Sequence, residues 1–377
     1  MRCPTMACPP TSSGSGTRVA ARAHRRATHW LCAAWLAGAA AAGAAELPRF
    51  PGAAVWNQDI SAAPVHPQSA AMLQRLSSLG GWGNQNRFQI DFSIHVVRAP
   101  AGAPTLPLVA NPEEFYAGDC EATGSQVPVP PGGAIEGSTN YICDNRCLPD
   151  DECADCHLLV AQGDVLYELY RANVVAGAVE ATCLARWNLR HVYPPQGRGE
   201  HCTSADAAGF PIAALLFNAD EVAAGEIRHA IRFILPNARM ASDPALGGVS
   251  GRLYVRPASH AGAPGGPVDT VPYGARLRLK AGFDTSGYSP GARVVLAAMK
   301  RHGIVLADGG NIALTAESDR YTTAKWSDAN VGITAQSLLG VQVTDFEVVD
   351  TGPRIGETYD CERTDIPFDV LLSDGFE

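Results

Sequence analysis

A histidine, a carboxylate and a phenol fall close together in the stretch CHLLVAQGDVLYELYR, residues 156–171. Gly163-Asp164 lies between two short apolar runs and signals a hairpin, because a two-residue turn needs positive φ. With that turn, Gln162 faces Val165, Leu159 faces Glu168 and His157 faces Tyr170. Side chains alternate along a strand. Leu158, Val160, Val165, Tyr167 and Leu169 then share a core face, and His157, Leu159, Ala161, Leu166, Glu168 and Tyr170 share the other. His157, Glu168 and Tyr170 become one cross-strand neighbourhood able to give and take protons. The plainer reading is a polar cluster on the solvated side of an antiparallel sheet.

Other residues could join them. His229 lies on the apolar face of EIRHAIRFIL, residues 226–235. Histidine in that setting is ordinarily a hydrogen-bonded core residue, but it could also act as a base at the floor of a cleft. Asp206, in TSADAAGFPI (residues 203–212), suits either capping of backbone N–H groups, the favoured role, or presentation of a carboxylate to a cleft. Asp308 ends a short apolar run before Gly309-Gly310, which suits a site residue and a turn former equally. Arg276, Arg278 and Lys280 alternate along residues 275–283 and are expected to pair with acids such as Glu168 or Glu226. Arg278 and Lys280 could instead hold a uronate carboxylate. His191, His201 and Glu200 lack a further ligand at strand or helix spacing, so neither a metal nor another cofactor is expected.

These residues need positioning elements. Strict alternation predicts strands over residues 87–97, 226–235 and 275–283, with shorter ones over 304–307 and 345–350. A short helix is expected over 68–79, stopped by Gly80-Gly81. A better one is expected over 289–301, capped by Ser289, opened by Pro290 and stopped by Gly303. Residues 99–140 read as a long Pro- and Gly-rich loop. The expected fold is mainly β: a single antiparallel β-sandwich or jelly-roll-like domain with a few short helices, the alternative being α+β.

The chain has 377 residues, 46% hydrophobic and 18% charged, within the range of a folded protein. Its 38 Gly and 27 Pro favour turns over long helices. Lysine occurs only at 280, 300 and 325, and no basic run lies outside the N-terminus, which argues against nucleic acid as a partner. Arg18, Arg22, Arg25 and Arg26 precede an apolar stretch and the small residues Ala42-Gly43-Ala44, the pattern of an export signal over residues 1–45. The apolar stretch is too short and Ala-rich for a stable membrane span. Loss of the signal removes five arginines and takes the net charge from −9 to −14. A single domain is expected over 46–350, with a tail over 351–377.

Eight cysteines remain after the signal: Cys120, Cys143, Cys147, Cys153, Cys156, Cys183, Cys202 and Cys361. An even number in an exported chain reads as a disulfide framework, with loop 120–156 stapled. A zinc site in residues 143–156 is the alternative, although five residues between the ligand pairs is short for a zinc module.

Several blocks together resemble a group of secreted bacterial proteins: His157-Leu158-Leu159-Val160 with Leu166-Tyr167-Glu168-Leu169-Tyr170, TSADAAGFPI at 203–212, Gly225-Glu226-Ile227-Arg228-His229-Ala230, and RLKAGFD with ADGG between 274 and 310. The resemblance covers roughly residues 50–350 and implies a shared fold without implying a reaction; the N-terminal signal points to a secreted or periplasmic location. The terminal Asp-Gly-Phe-Glu resembles endings of other exported proteobacterial proteins.

The chain lacks a Gly-x-Ser-x-Gly nucleophile motif, a phosphate-cradling loop and a dinucleotide fingerprint. Two functional classes follow. One is a secreted hydrolase or lyase acting on polymeric carbohydrate. It would use His157, Glu168, Tyr170 and His229 in acid–base roles, Asp206 or Asp308 as the second carboxyl, and Arg278 and Lys280 for a uronate. The other is a non-catalytic module that binds a glycan or a cell-surface partner, with Trp56, Trp82, Trp187 and Trp326 as stacking platforms.

Overall fold

The Gly163-Asp164 turn forms where the pattern places it, joining strands Leu158–Gln162 and Val165–Tyr170, with Gly163 at φ 56°. Leu159 pairs with Glu168 and Gln162 with Val165. The computed structural model describes residues 47–143, 155–364 and 366–368. The expected export signal, Cys147, Cys153 and the Asp-Gly-Phe-Glu ending lie outside the described residues.

The hairpin is half of a four-stranded sheet, with Val96–Arg98 parallel to one strand and Cys183–Asn188 antiparallel to the other. Both faces of this sheet are covered. Leu158, Val160 and Leu169 join a smaller core with Leu108, Val127 and Val179. Leu159, Ala161 and Leu166 pack into the main core. The face carrying His157 and Glu168 is therefore an interior surface, not a solvated one.

The main core surrounds a six-stranded sheet in the order Ile90–Ile94, Leu314–Glu317, Ile231–Leu235, Ile304–Gly309, Arg276–Leu279, Phe346–Val348. Ile90–Ile94 runs parallel to Leu314–Glu317, and Ile231–Leu235 parallel to Ile304–Gly309; the other pairings are antiparallel. The fold is mainly β, as composition and alternation indicate, and its sheets are mixed. The expected 87–97 strand breaks at His95 into two pieces. Ile90–Ile94 enters the central sheet and Val96–Arg98 the hairpin sheet, so one segment ties both layers together.

Helix Pro290–Arg301 starts as the sequence indicates, the Ser289 hydroxyl accepting from the Ala292 amide at 3.3 Å. It buries Val295, Leu296, Ala298 and Met299. Ala219–Ala224 form a short helix with an Asn218–Glu221 capping box.

Three disulfides join the described cysteines: Cys120–Cys183, Cys143–Cys156 and Cys202–Cys361. With Cys143 and Cys156 bonded to each other, neither can serve a zinc site. The third bridge ties residues 351–364, the start of the expected tail, to the domain: Ile355–Gly356 pairs with Leu253–Tyr254, Glu362–Arg363 pairs with Gly199–Glu200, and Glu357 is completely buried. Replacing both Cys202 and Cys361 by Ser is expected to lower stability by up to about 5 kcal/mol, because the bridge closes a span of 159 residues. Urea unfolding checks this; a loss below about 1 kcal/mol would mean that the strand pairs alone hold the segment.

Candidate active site

Arg232 anchors the site. It projects from the central strand Ile231–Leu235 and is almost fully buried. A buried guanidinium needs anionic partners, and it has two. Its Nε donates to Asp206 Oδ1 at 2.7 Å and its Nη2 to Asp308 Oδ2 at 3.0 Å. Burial opposes its charge, but the two carboxylates outweigh burial and hold the proton more firmly than usual.

Asp308 comes from the neighbouring parallel strand. Phe233 pairs with Leu306, but Ile234 pairs with Asp308, so Ala307 is an extra residue in the ladder. Such a bulge re-aims the side chain that follows. The freed Ala307 carbonyl accepts from the Ala208 amide at 2.9 Å, which ties the Asp206 turn to the Asp308 strand. Asp308 Oδ1 also accepts from the Gly309 amide at 2.7 Å.

The Asp206 turn is held from within and from outside. The Ser204 hydroxyl accepts from the Asp206 amide at 3.0 Å and donates to the Phe210 carbonyl at 2.7 Å. Gly209, at φ 76°, is packed so closely on Ser259 and the Cys202 carbonyl that a Cβ has no room. Asp206 therefore does not cap a helix, the role the sequence favoured. It is an ion-pair partner in a cavity wall. Burial, reinforced by the Asp308 charge and opposed by Arg232, pushes its carboxyl up to about 7.

A cavity of about 730 Å³ opens over this group, lined among others by Asp155, Tyr170, Asp206, His260, Tyr273 and Asp308. Asp155 is exposed at its mouth. It directly precedes Cys156 of the Cys143–Cys156 bridge, which fixes the chain beside it. Desolvation, with the Asp308 and Glu136 charges adding to it, pushes the Asp155 carboxyl up to about 6. His260 is held neutral, burial lowering it to about 4. Its Nδ1 donates to the Ala207 carbonyl at 2.7 Å, leaving Nε2 as an acceptor.

His157 lies behind this wall. Its Nδ1 contacts Glu136 Oε2 at 2.7 Å and its Nε2 the Ala205 carbonyl at 3.0 Å. Burial works against its charge, but the Glu136 carboxylate prevails and raises it to about 10. With both ring nitrogens donating, His157 positions the Asp206 turn and has no lone pair left for a substrate.

Glu168 is also buried away from the cavity. Its oxygens accept from the Ile212 amide at 2.9 Å and the Ala213 amide at 2.7 Å. It thus holds the end of the 203–212 segment. Burial, partly offset by these amides, pushes it up to about 7. Glu168→Gln would set an amide NH2 against one of the two N–H donors. It is expected to cost about 1.5–3 kcal/mol in urea unfolding and to leave turnover per folded molecule nearly unchanged.

Of the sequence candidates, Tyr170, Asp206 and Asp308 line one cavity, with His157 behind it. His229 does not join them. It lies in the wall of a second cavity of about 1220 Å³, with Nε2 3.1 Å from Glu221 Oε1. Arg278 and Lys280 line neither cavity. Arg278 pairs with Glu347 at 2.6 Å, and Lys280 donates to the Thr344 carbonyl at 2.6 Å. Arg276 donates to the His302 and Val55 carbonyls. None of the three pairs with Glu168 or Glu226: the two arginines lie on an interior strand with partners of their own, and Lys280 is exposed just past its end. Trp56, Trp82, Trp187 and Trp326 are all buried core residues and offer no stacking platform.

Sequence reasoning missed Asp155, Arg232, Glu136 and His260. The signals for them were a carboxylate beside a stapling cysteine and an arginine in an otherwise apolar strand. Compared with protein-family models, curated proteins and solved structures, the chain matches none.

Proposed function

We infer that this is an exported hydrolase of polymeric carbohydrate, acting through Asp155 and Asp308. One observation carries the reading. Two solvent-reaching carboxyl groups line the same cavity, Asp155 inclined to keep its proton and Asp308 held by hydrogen bonds from Arg232 and the Gly309 amide. Unequal carboxyl groups facing one glycosidic bond are the working parts of glycoside hydrolysis. Asp155 protonates the leaving glycosidic oxygen. Asp308 serves the anomeric carbon on the other side, as nucleophile or as base for water. Asp206 shares Arg232 with Asp308 and so helps to fix its place in the wall. Tyr170 and Tyr273 supply ring faces and hydroxyls for the sugar.

Hydrolysis is favoured over lyase chemistry because Arg278 and Lys280, the cations meant for a uronate, are spent elsewhere in the fold. The disulfides support an oxidising compartment. Among the described residues no helix is long and apolar enough to cross a membrane. The test is reducing-end release from a panel of polysaccharides, read together with absorbance at about 235 nm, where the unsaturated product of a lyase would absorb. Release of reducing ends without absorbance supports the reading. Absorbance, or no release from any polymer, would overturn it.

A further inference from the structure

We propose that Tyr359 is the stacking platform for a pyranose ring of the bound polymer, carried to the mouth of the Asp155–Asp308 cavity by the strap of residues 355–363. The sugar as ligand rests on the hydrolase reading; the platform rests on the geometry of Tyr359.

Exposure comes first. Tyr359 lines the cavity and is 37% exposed. Among the described residues it is the only phenylalanine, tyrosine or tryptophan left exposed. Tyr273 in the same wall is buried, and Tyr116 and Tyr170 are half-buried. The tryptophans expected as platforms, Trp56, Trp82, Trp187 and Trp326, all lie in the core. A phenol joins an apolar ring face to a polar handle, so it can take the C–H face of a sugar at a wet cavity mouth.

The handle is engaged and one ring face is not. The Tyr359 hydroxyl accepts from Arg252 and lies 3.3 Å from the Ala261 carbonyl and 3.2 Å from the Gly262 carbonyl, to which it donates. The guanidinium therefore sits at the hydroxyl end, its carbon 5.4 Å from the ring centroid. His260 packs on one face, with centroids 5.2 Å apart and 35° between planes. The other face is left for a ligand. Beside it, His260 keeps Nε2 as an acceptor for a sugar hydroxyl, since its Nδ1 donates to the Ala207 carbonyl.

The backbone is strained to hold the ring there. Tyr359 sits at φ 62°, in the left-handed region that bulky side chains avoid. Such strain persists only where the surroundings over-determine it. Here the Tyr359 amide donates to Glu357 Oε1 at 2.8 Å, and Glu357 Oε2 accepts from the Ala261 amide at 2.9 Å. Cys361, two residues on, is bonded to Cys202. The strap is thus fastened on both sides of a residue that its own backbone disfavours. Gly or Asn would make the same turn without that strain, so a merely connecting role does not call for tyrosine.

Calorimetric titration of the whole protein with cellohexaose, mannohexaose and xylohexaose tests this. At least one is expected to bind the native protein with Kd below about 1 mM. Tyr359→Gly and Tyr359→Asn remove the ring and suit the left-handed backbone, so the strap should keep its path, which urea unfolding checks. Both are expected to weaken hexaose binding about tenfold, roughly what one ring face contributes. Tyr359→Phe keeps the ring, and its binding should stay within about threefold of native. No hexaose bound by the native protein overturns the proposal, as do ringless variants that bind as tightly as native, or Tyr359→Phe binding as weakly as Tyr359→Gly. A binding loss matched by a loss of stability in both ringless variants overturns it too. The two readings fail separately. Hexaose binding that needs the ring, without cleavage of any polymer, sinks the hydrolase and keeps the platform. Cleavage with binding indifferent to the ring does the reverse.

Discussion

Asp308→Asn is expected to lower kcat for polysaccharide hydrolysis by about a thousandfold, with KM changed only a few-fold. Asn keeps the shape and can still accept from the Gly309 amide, but its NH2 then faces the Arg232 guanidinium, so the fold of the variant is checked alongside its turnover. What is lost is the negative charge opposite the reacting carbon, and Asn can neither attack nor take a proton. Asp155→Asn should cost about a hundredfold. It should also remove the alkaline limb of the pH profile, because a general acid works only while protonated. Activity of the native protein should fall as pH rises through about 6, the value to which Asp155 is pushed. Asp206, near 7, titrates close by, so the limb is read in Asp155→Asn as well as in the native protein. Near-native turnover in Asp308→Asn, with an unchanged circular dichroism spectrum, would remove Asp308 from the chemistry.

Arg232→Leu is expected to cost about 3–5 kcal/mol of stability, and more at pH 8 than at pH 5. The leucine fits an apolar strand, but it leaves Asp206 and Asp308 facing each other without their shared cation. The pH dependence follows from the direction of the Asp206 shift. Its folded-state value, about 7, lies above the ordinary 3.8. The folded protein therefore holds a proton that the unfolded chain releases, and stability falls as pH rises between those values. Removing Arg232 takes away the main charge that opposes the shift, so the window widens upward. Urea unfolding at the two pH values measures it. Adding Asp206→Asn to Arg232→Leu should recover much of the loss at pH 8, because the uncompensated carboxylate is then gone. Equal destabilisation at both pH values would mean that the ion cluster contributes packing alone.

Local chemistry accounts for the parts of the fold that were legible. The Gly163-Asp164 hairpin, the Ser289 cap with Pro290, and the strand cores at 90–94, 231–235 and 276–279 depend on turn geometry, capping and alternation within a few residues. The 87–97 strand was read as one piece because alternation continues through His95. Nothing local says that its two halves belong to different sheets.

The site was legible only in part. Asp206 and Asp308 were picked out by the turns that hold them, and Tyr170 by the hairpin. That an arginine would join the two aspartates could not be read, since Arg232 is 26 residues from one and 76 from the other. His157 and Glu168 were correctly placed as neighbours and wrongly given a free face, because alternation assigns a side of the sheet but cannot say what covers it. The same gap sent Arg278 and Lys280 toward a substrate.

The sequence by itself determined a mainly β, disulfide-linked chain and its local turns and caps, since those follow from nearest-neighbour sterics and from cysteine content. The tertiary structure decided which polar groups face water. It buried the hairpin's second face, consumed the strand cations and the tryptophans, and gathered two distant aspartates around one guanidinium in the wall of a cavity. Those outcomes depend on which layers stack and where one extra residue, Ala307, enters a parallel ladder, and both are long-range facts.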